Sequence, residues 1–172
     1  MIRRFREILF FVLFVLLQTM VISHIRLFGI VTPFIYLYVI IKLRIDISRS
    51  YMIILSFLLG LTIDIFSNTF GIHAAACSLI GFIRNPLLER FVDMRELPEG
   101  SVPSYQLLGF GIFFRYALIL VSLHHIVLFS IDAFGFSQPM WLLIRLSSSM
   151  ILSLLLIFII ESFSLRVVKH GE

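Results

Sequence analysis

Six apolar runs, separated by short polar links, restrict this chain to a fold whose main solvent is lipid. The runs lie at about 8–23, 27–41, 51–66, 70–83, 107–131 and 141–163. Such runs read as candidate membrane-spanning helices. Of 172 residues, 60% are hydrophobic and only 14% charged. A soluble domain carries about a quarter charged residues, so a wetted surface cannot be built from this mixture. The expectation is an all-α, polytopic bundle of six transmembrane helices, forming one integral membrane domain over 1–172. The first four runs are short. A 15-residue helix covers roughly 22 Å against a hydrocarbon core of ~30 Å, which calls for borrowed flanking residues or a thinned bilayer. Pro33, early in the second run, suits a first helical turn or a kink.

Basic residues set the orientation. Arg3, Arg4 and Arg6, then Lys42, Arg44 and Arg49, then Arg84, Arg90 and Arg95, then Arg166 and Lys169 fall on one side of a six-span path. The other side holds Arg26, and Arg115 and Arg145 lie within spans. Positive residues mark the cytoplasmic side, so both termini are expected there. The formal net charge of +4 is read the same way and not as a sign of nucleic-acid binding. The start, "MIRRFREILFFVLFVLLQTMVISH", has the basic-then-apolar order of a signal peptide, but no small-x-small site follows. It reads as a retained first span. In the longest link, 84–106, Leu87, Phe91, Met94 and Leu97 recur at helical spacing. They predict a short amphipathic helix over 86–97 on the cytoplasmic surface, ended by Pro98, Gly100 and Pro103.

The stretch "LLGLTIDIFSNTFGIHAAACSLIGFIR" places Asp64 in an otherwise apolar run. Ser56, Gly60, Asp64 and Asn68 are spaced by four and share one helix face; His73, Ala74, Cys77, Ser78 and Gly81 form a second small or polar face. The link "SNTFG" is short enough to join the two as an antiparallel pair, with Gly71 supplying backbone freedom. Small faces allow close packing inside a membrane, which points Asp64 into the bundle. A carboxylate there is costly unless protonated, paired or hydrated. Counting depth along the helices gives Arg145 as its ion-pair partner, with His73 or a histidine of the fifth run nearby. Arg115 and Glu161 read as snorkelling residues near the cytoplasmic boundary. Cys77 reads as a packing residue, and Ser147, Ser148, Ser149 and Ser153 as helix contacts. His124 and His125, being adjacent, are expected to face different ways. No nucleophile motif, phosphate loop or metal-ligand spacing is present, so neither catalysis, cofactor nor metal is expected.

The same stretch resembles the signature of the MreD family of bacterial rod shape-determining membrane proteins. In that family a Gly–x3–Asp ends one span, a polar glycine-containing link follows, and a His–Ala helix start leads to a helix ending in a basic residue. Gly60, Asp64, Gly71, His73, Ala74 and Arg84 occupy those places. The long fifth run, the link at 89–104 and "SLHHIVLF" differ from the commoner members and mark a divergent branch, such as that of Bacteroidetes. The resemblance implies a non-enzymatic component of the cell-elongation complex in the bacterial inner membrane. Its implied partners are an MreC-like protein and, through it, MreB, RodZ, the RodA glycosyltransferase and a class B penicillin-binding transpeptidase. The implied fold is similar to the substrate-binding S-components of energy-coupling-factor vitamin transporters. An S-component is therefore the alternative, although the first run has no alanine or glycine for the Ala-x3-Ala face that docks a transport module. The residues expected to matter for packing and interaction are Gly60, Asp64, Gly71, His73 and Arg145.

Overall fold

The computed structural model describes residues 12–21, 31–133 and 139–169. The fold is all-helical, and no strand occurs among the described residues. Residues 12–16 form helix that continues as a π-helical turn, Leu17–Val21. Then come α1 (Leu37–Ile41), α2 (Arg49–Ser67), α3 (Ile72–Glu89), α4 (Tyr105–Leu108), α5 (Phe110–Asp132) and α6 (Pro139–Lys169).

Among the described residues, three helices are long and apolar enough to cross a membrane: Arg49–Ser67, Phe110–Asp132 and the Met140–Phe163 part of α6. The 19 residues of α2 give about 29 Å of helix and the 23 of α5 about 35 Å, close to one hydrocarbon thickness. The fourth run becomes α3, whose last turns carry Arg84, Asn85 and Glu89 and make it less apolar. The ends of the first run, at 8–11 and 22–23, and the start of the second, at 27–30, lie outside the described residues.

The second run corrects the expectation of a continuous helical span. Residues 31–36 are not helical, and only the five residues of α1 are. This central segment is nevertheless the core: every residue from Phe34 to Ile41 is buried. Non-helical backbone at such a place must have its polar groups satisfied by neighbours. Ser149 Oγ accepts from Thr32 N–H at 3.1 Å, Ser153 Oγ accepts from Phe34 N–H at 2.9 Å, and Gln18 Oε1 accepts from Ile35 N–H at 2.9 Å. Gln18 Nε2 donates back to the Pro33 carbonyl at 3.1 Å. Pro33 has no N–H of its own and disfavours helix at the residue before it, so the break falls where the sequence tolerates it.

Helix α3 packs most extensively on α2, and also on α5, which in turn carries α6. The predicted amphipathic helix over 86–97 is not formed. Helix α3 runs on through Pro86 to Glu89, and 90–97 is a series of turns. Leu87, Phe91, Met94 and Leu97 still turn their apolar side chains to the core, half-buried. The Ile45 N–H donates to Ser101 O at 3.0 Å, pinning the end of this link beneath the central segment.

Candidate functional site

The pairing of α2 and α3 begins with two glycines. A Cβ on Gly60 would lie 2.6 Å from Ala74 Cα and against the His73 carbonyl, so only glycine lets the two backbones meet there. A Cβ on Gly81 would lie 2.5 Å from Ser56 Oγ at the other end of the contact. Between them the helices turn through Asn68 (φ 54°) and Gly71 (φ 80°), both left-handed. Asn68 therefore leaves the helix, is exposed, and does not extend the Ser56–Gly60–Asp64 face.

Asp64 belongs to the end of this turn. A helix start leaves N–H groups without intrahelical acceptors, and a side chain at its N-cap usually supplies one. The N-cap of α3 is Gly71, which has no side chain to do so. Asp64 reaches over from α2 instead. Its Oδ1 accepts from His73 N–H at 3.1 Å and its Oδ2 accepts from Ala74 N–H at 2.8 Å. The Thr69 hydroxyl donates to Oδ1 at 2.5 Å, and His73 Nδ1 lies 3.0 Å from the same oxygen. A negative group at a helix N-terminus also opposes the positive end of the helix dipole. Gly60, Asp64, Gly71 and His73 thus come together as one unit.

Arg145 is not part of it, which corrects the expected Asp64–Arg145 pair. Arg145 Nη1 bonds Asp132 Oδ2 at 3.0 Å, and the guanidinium lies 5.2 Å from the Phe129 ring centre. Asp132 ends α5, a few residues before α6 begins, so the nearer carboxylate in sequence takes the arginine. Asp64, turned toward α3, has its oxygens filled by backbone donors.

A second group of polar side chains surrounds Phe34. Its ring lies edge-on to His73 (5.8 Å), His124 (5.6 Å) and His125 (5.2 Å). The Tyr36 hydroxyl and His124 Nε2 are 2.8 Å apart, and His125 Nε2 lies 3.2 Å from Ser153 Oγ. His125 Nδ1 bonds the Val121 carbonyl at 2.8 Å. His124 and His125 face different partners, as their adjacency on a helix predicts, and both are fully buried. Helix α5 is buried over a wide arc, including Tyr116, Ala117, Leu120 and Val121, and two neighbours 100° apart both fit inside it.

A third group lies near the far end of α6. Glu161 is fully buried rather than snorkelling: the Tyr38 hydroxyl donates to Oε2 at 2.7 Å and Lys42 Nζ lies 3.0 Å away. Burial pulls the Lys42 ammonium below its ordinary value, and Glu161 offsets only part of that shift. Arg84 is also fully buried. Its Nη2 donates to the Ile41 and Leu43 carbonyls at the C-terminal end of α1, and its Nη1 donates to Asn85 Oδ1 at 2.7 Å. The basic end of the α3 run is therefore a clamp on the central segment. Cys77 is buried against the core, and Arg115 is exposed.

Tyr36, Tyr38, Gln18, Thr69 and Asp132 were not singled out by the sequence. The signal for the first three was faint: one glutamine in an apolar run, and two tyrosines spaced by two, a strand-like interval, where a helix was expected.

These features define a class: an all-helical membrane protein whose buried polar side chains fasten helices to one another and to a non-helical core segment. No family model, no curated protein and no solved structure matches the chain.

Proposed function

We propose that this chain is a non-enzymatic, MreD-like component of the bacterial cell-elongation complex, acting in the inner membrane with both termini cytoplasmic. In this reading it regulates cell shape and peptidoglycan synthesis by binding an MreC-like single-pass protein, and through it MreB, RodZ, RodA and a class B transpeptidase. The observation that carries the reading is the α2–α3 turn. Of the residues on which the resemblance rests, Asp64 is bonded to His73 and Ala74 there, Gly60 lies against the His73–Ala74 backbone and Gly71 forms the turn, while Arg84 stands at the far end of α3. A motif whose letters meet in space has a structural reason to be a motif.

Binding within the membrane would use helix faces. Tyr51, Ile54, Leu58 and Ile65 on α2, and Leu143, Ile144, Ile151, Leu155 and Ile159 on α6, are exposed apolar surfaces open to lipid or to a partner helix.

Depletion in the native cell tests the proposal, with shape and sites of new wall insertion scored and a tagged copy used to recover partners from detergent. The expected result is rounded cells, scattered insertion and recovery of an MreC-like protein. Normal shape with a vitamin requirement, and an ATPase module in the pull-down, would replace this reading with the S-component one.

A further inference from the structure

With Arg145 bound to Asp132, the charge of Asp64 has no arginine or lysine beside it among the described residues. Asp64 is 2% exposed. Its bonded neighbours are the Thr69 hydroxyl, the N–H groups of His73 and Ala74, and the His73 ring. The titratable groups facing the pair are Tyr36 from the central segment, Cys77 from α3, His124, His125 and Asp132 from α5, with Arg145 of α6 behind Asp132. Of these only the histidines can gain a positive charge near neutral pH. His73 is the one in contact with the carboxylate, and its side chain is 10% exposed. His124 and His125 are sealed in the core.

We infer that Asp64 and His73 together form a one-proton binding site, loaded from the solvent at the α2–α3 turn and felt by the central segment through Phe34 and Tyr36. With Asp64 ionised, His73 Nδ1 carries the hydrogen that points at Oδ1, and Nε2 keeps its lone pair. A hydronium ion transfers its proton to Nε2. One N–H bond forms, one O–H bond breaks, and water leaves. The dyad passes from one net negative charge to none; burial opposes the new positive charge, and the carboxylate 3.0 Å away is the group that offsets that cost. The new N–H adds a donor to a ring packed edge-on to Phe34 (5.8 Å) and Tyr36 (6.0 Å). Tyr36 is bonded to His124, so the change falls on the central segment, whose backbone at 32–35 is held by side chains rather than by its own helix. The inference goes beyond the wall-synthesis proposal and does not depend on it.

The test is nitrogen NMR of the histidine rings of the full chain in lipid nanodiscs, titrated from about pH 8 to about pH 5. His73→Gln supplies the assignment. Carbon NMR of the Asp64 carboxyl and amide hydrogen exchange at Ile35 and Tyr36 are followed in parallel. The expected result is that His73 becomes imidazolium beside an ionised Asp64 while His124 and His125 stay neutral. Exchange at Ile35 and Tyr36 should change with the same midpoint. In Asp64→Asn the titration should move by about tenfold or more in proton concentration, or vanish. A neutral His73 throughout, a protonated Asp64, or the same titration in Asp64→Asn would overturn the site; flat exchange would overturn its coupling to the segment. If Asp64→Asn does not fold, the ring and carboxyl states of the unmodified protein decide the matter.

Discussion

At the α2–α3 turn, Asp64 reaches His73 and Ala74 across nine and ten residues of chain. At the bundle centre, Ser149, Ser153 and Glu161 reach the segment 32–42 across 117 to 123 residues. The first group solves a local problem, a helix start without a capping side chain. The second solves a global one: Ser149 and Ser153 satisfy non-helical backbone at Thr32 and Phe34, and Glu161 holds Tyr38 and Lys42 at the end of α1. Ser149, Ser153, Ile157 and Glu161 recur every four residues and are all fully buried, a single stripe on a helix otherwise largely exposed. Helix α6 is thus fastened to the central segment mainly by hydrogen bonds, whereas α2 and α3 are fastened by close backbone packing.

The comparison can be broken hardest at Glu161. Glu161→Leu leaves Lys42 and Tyr38 without their acceptor and should cost about 3 kcal/mol, since one charge of a buried pair is orphaned. Adding Lys42→Met should restore most of it. Unfolding in mixed detergent micelles measures both. Gly60→Ala should cost a similar amount, about 3 kcal/mol, because the colliding atoms are backbone and cannot rotate away. Gly111→Ala, with nothing near the added methyl, is the matched control and should be close to neutral.

Ser153→Ala should cost about 2 kcal/mol by stranding the buried Phe34 N–H. The distinguishing sign is faster hydrogen exchange at Phe34 with the α2–α3 turn unaffected. Asp64→Ala should cost about 1–2 kcal/mol through loss of the cap, seen as faster exchange at His73 and Ala74. Smallest is Arg145→Ala, about 0.5 kcal/mol, since its pair with Asp132 is roughly a third exposed. In a double-mutant cycle Asp64 and Arg145 should be additive within about 0.5 kcal/mol, and Asp64 and His73 should not.

What could be read from the sequence follows the same division. The spacing of Gly60 and Asp64, and the short link with Gly71 before His73, gave the close helix pair and the inward aspartate correctly. A four-residue period and a tight link leave few alternative geometries. The partner of Asp64 was misassigned because depth along a helix does not report its rotation, and because backbone donors have no letter in a sequence. Glu161 is buried for a reason of the same kind: its partners, Tyr38 and Lys42, are brought to it across more than a hundred residues of chain, and spacing along α6 does not report which face meets them.

By itself the sequence determined the solvent and the building blocks. Apolar runs with little charge allow only helices in lipid, and glycine and small residues at four-residue spacing allow two of those helices to touch. The tertiary structure alone decided that the run at 27–41 would give up its helix over 31–36. A backbone can leave the helical ladder inside a bundle only when acceptors and donors are already waiting. Here those come from Gln18, Ser149 and Ser153, which no local pattern connects to Pro33 and Phe34.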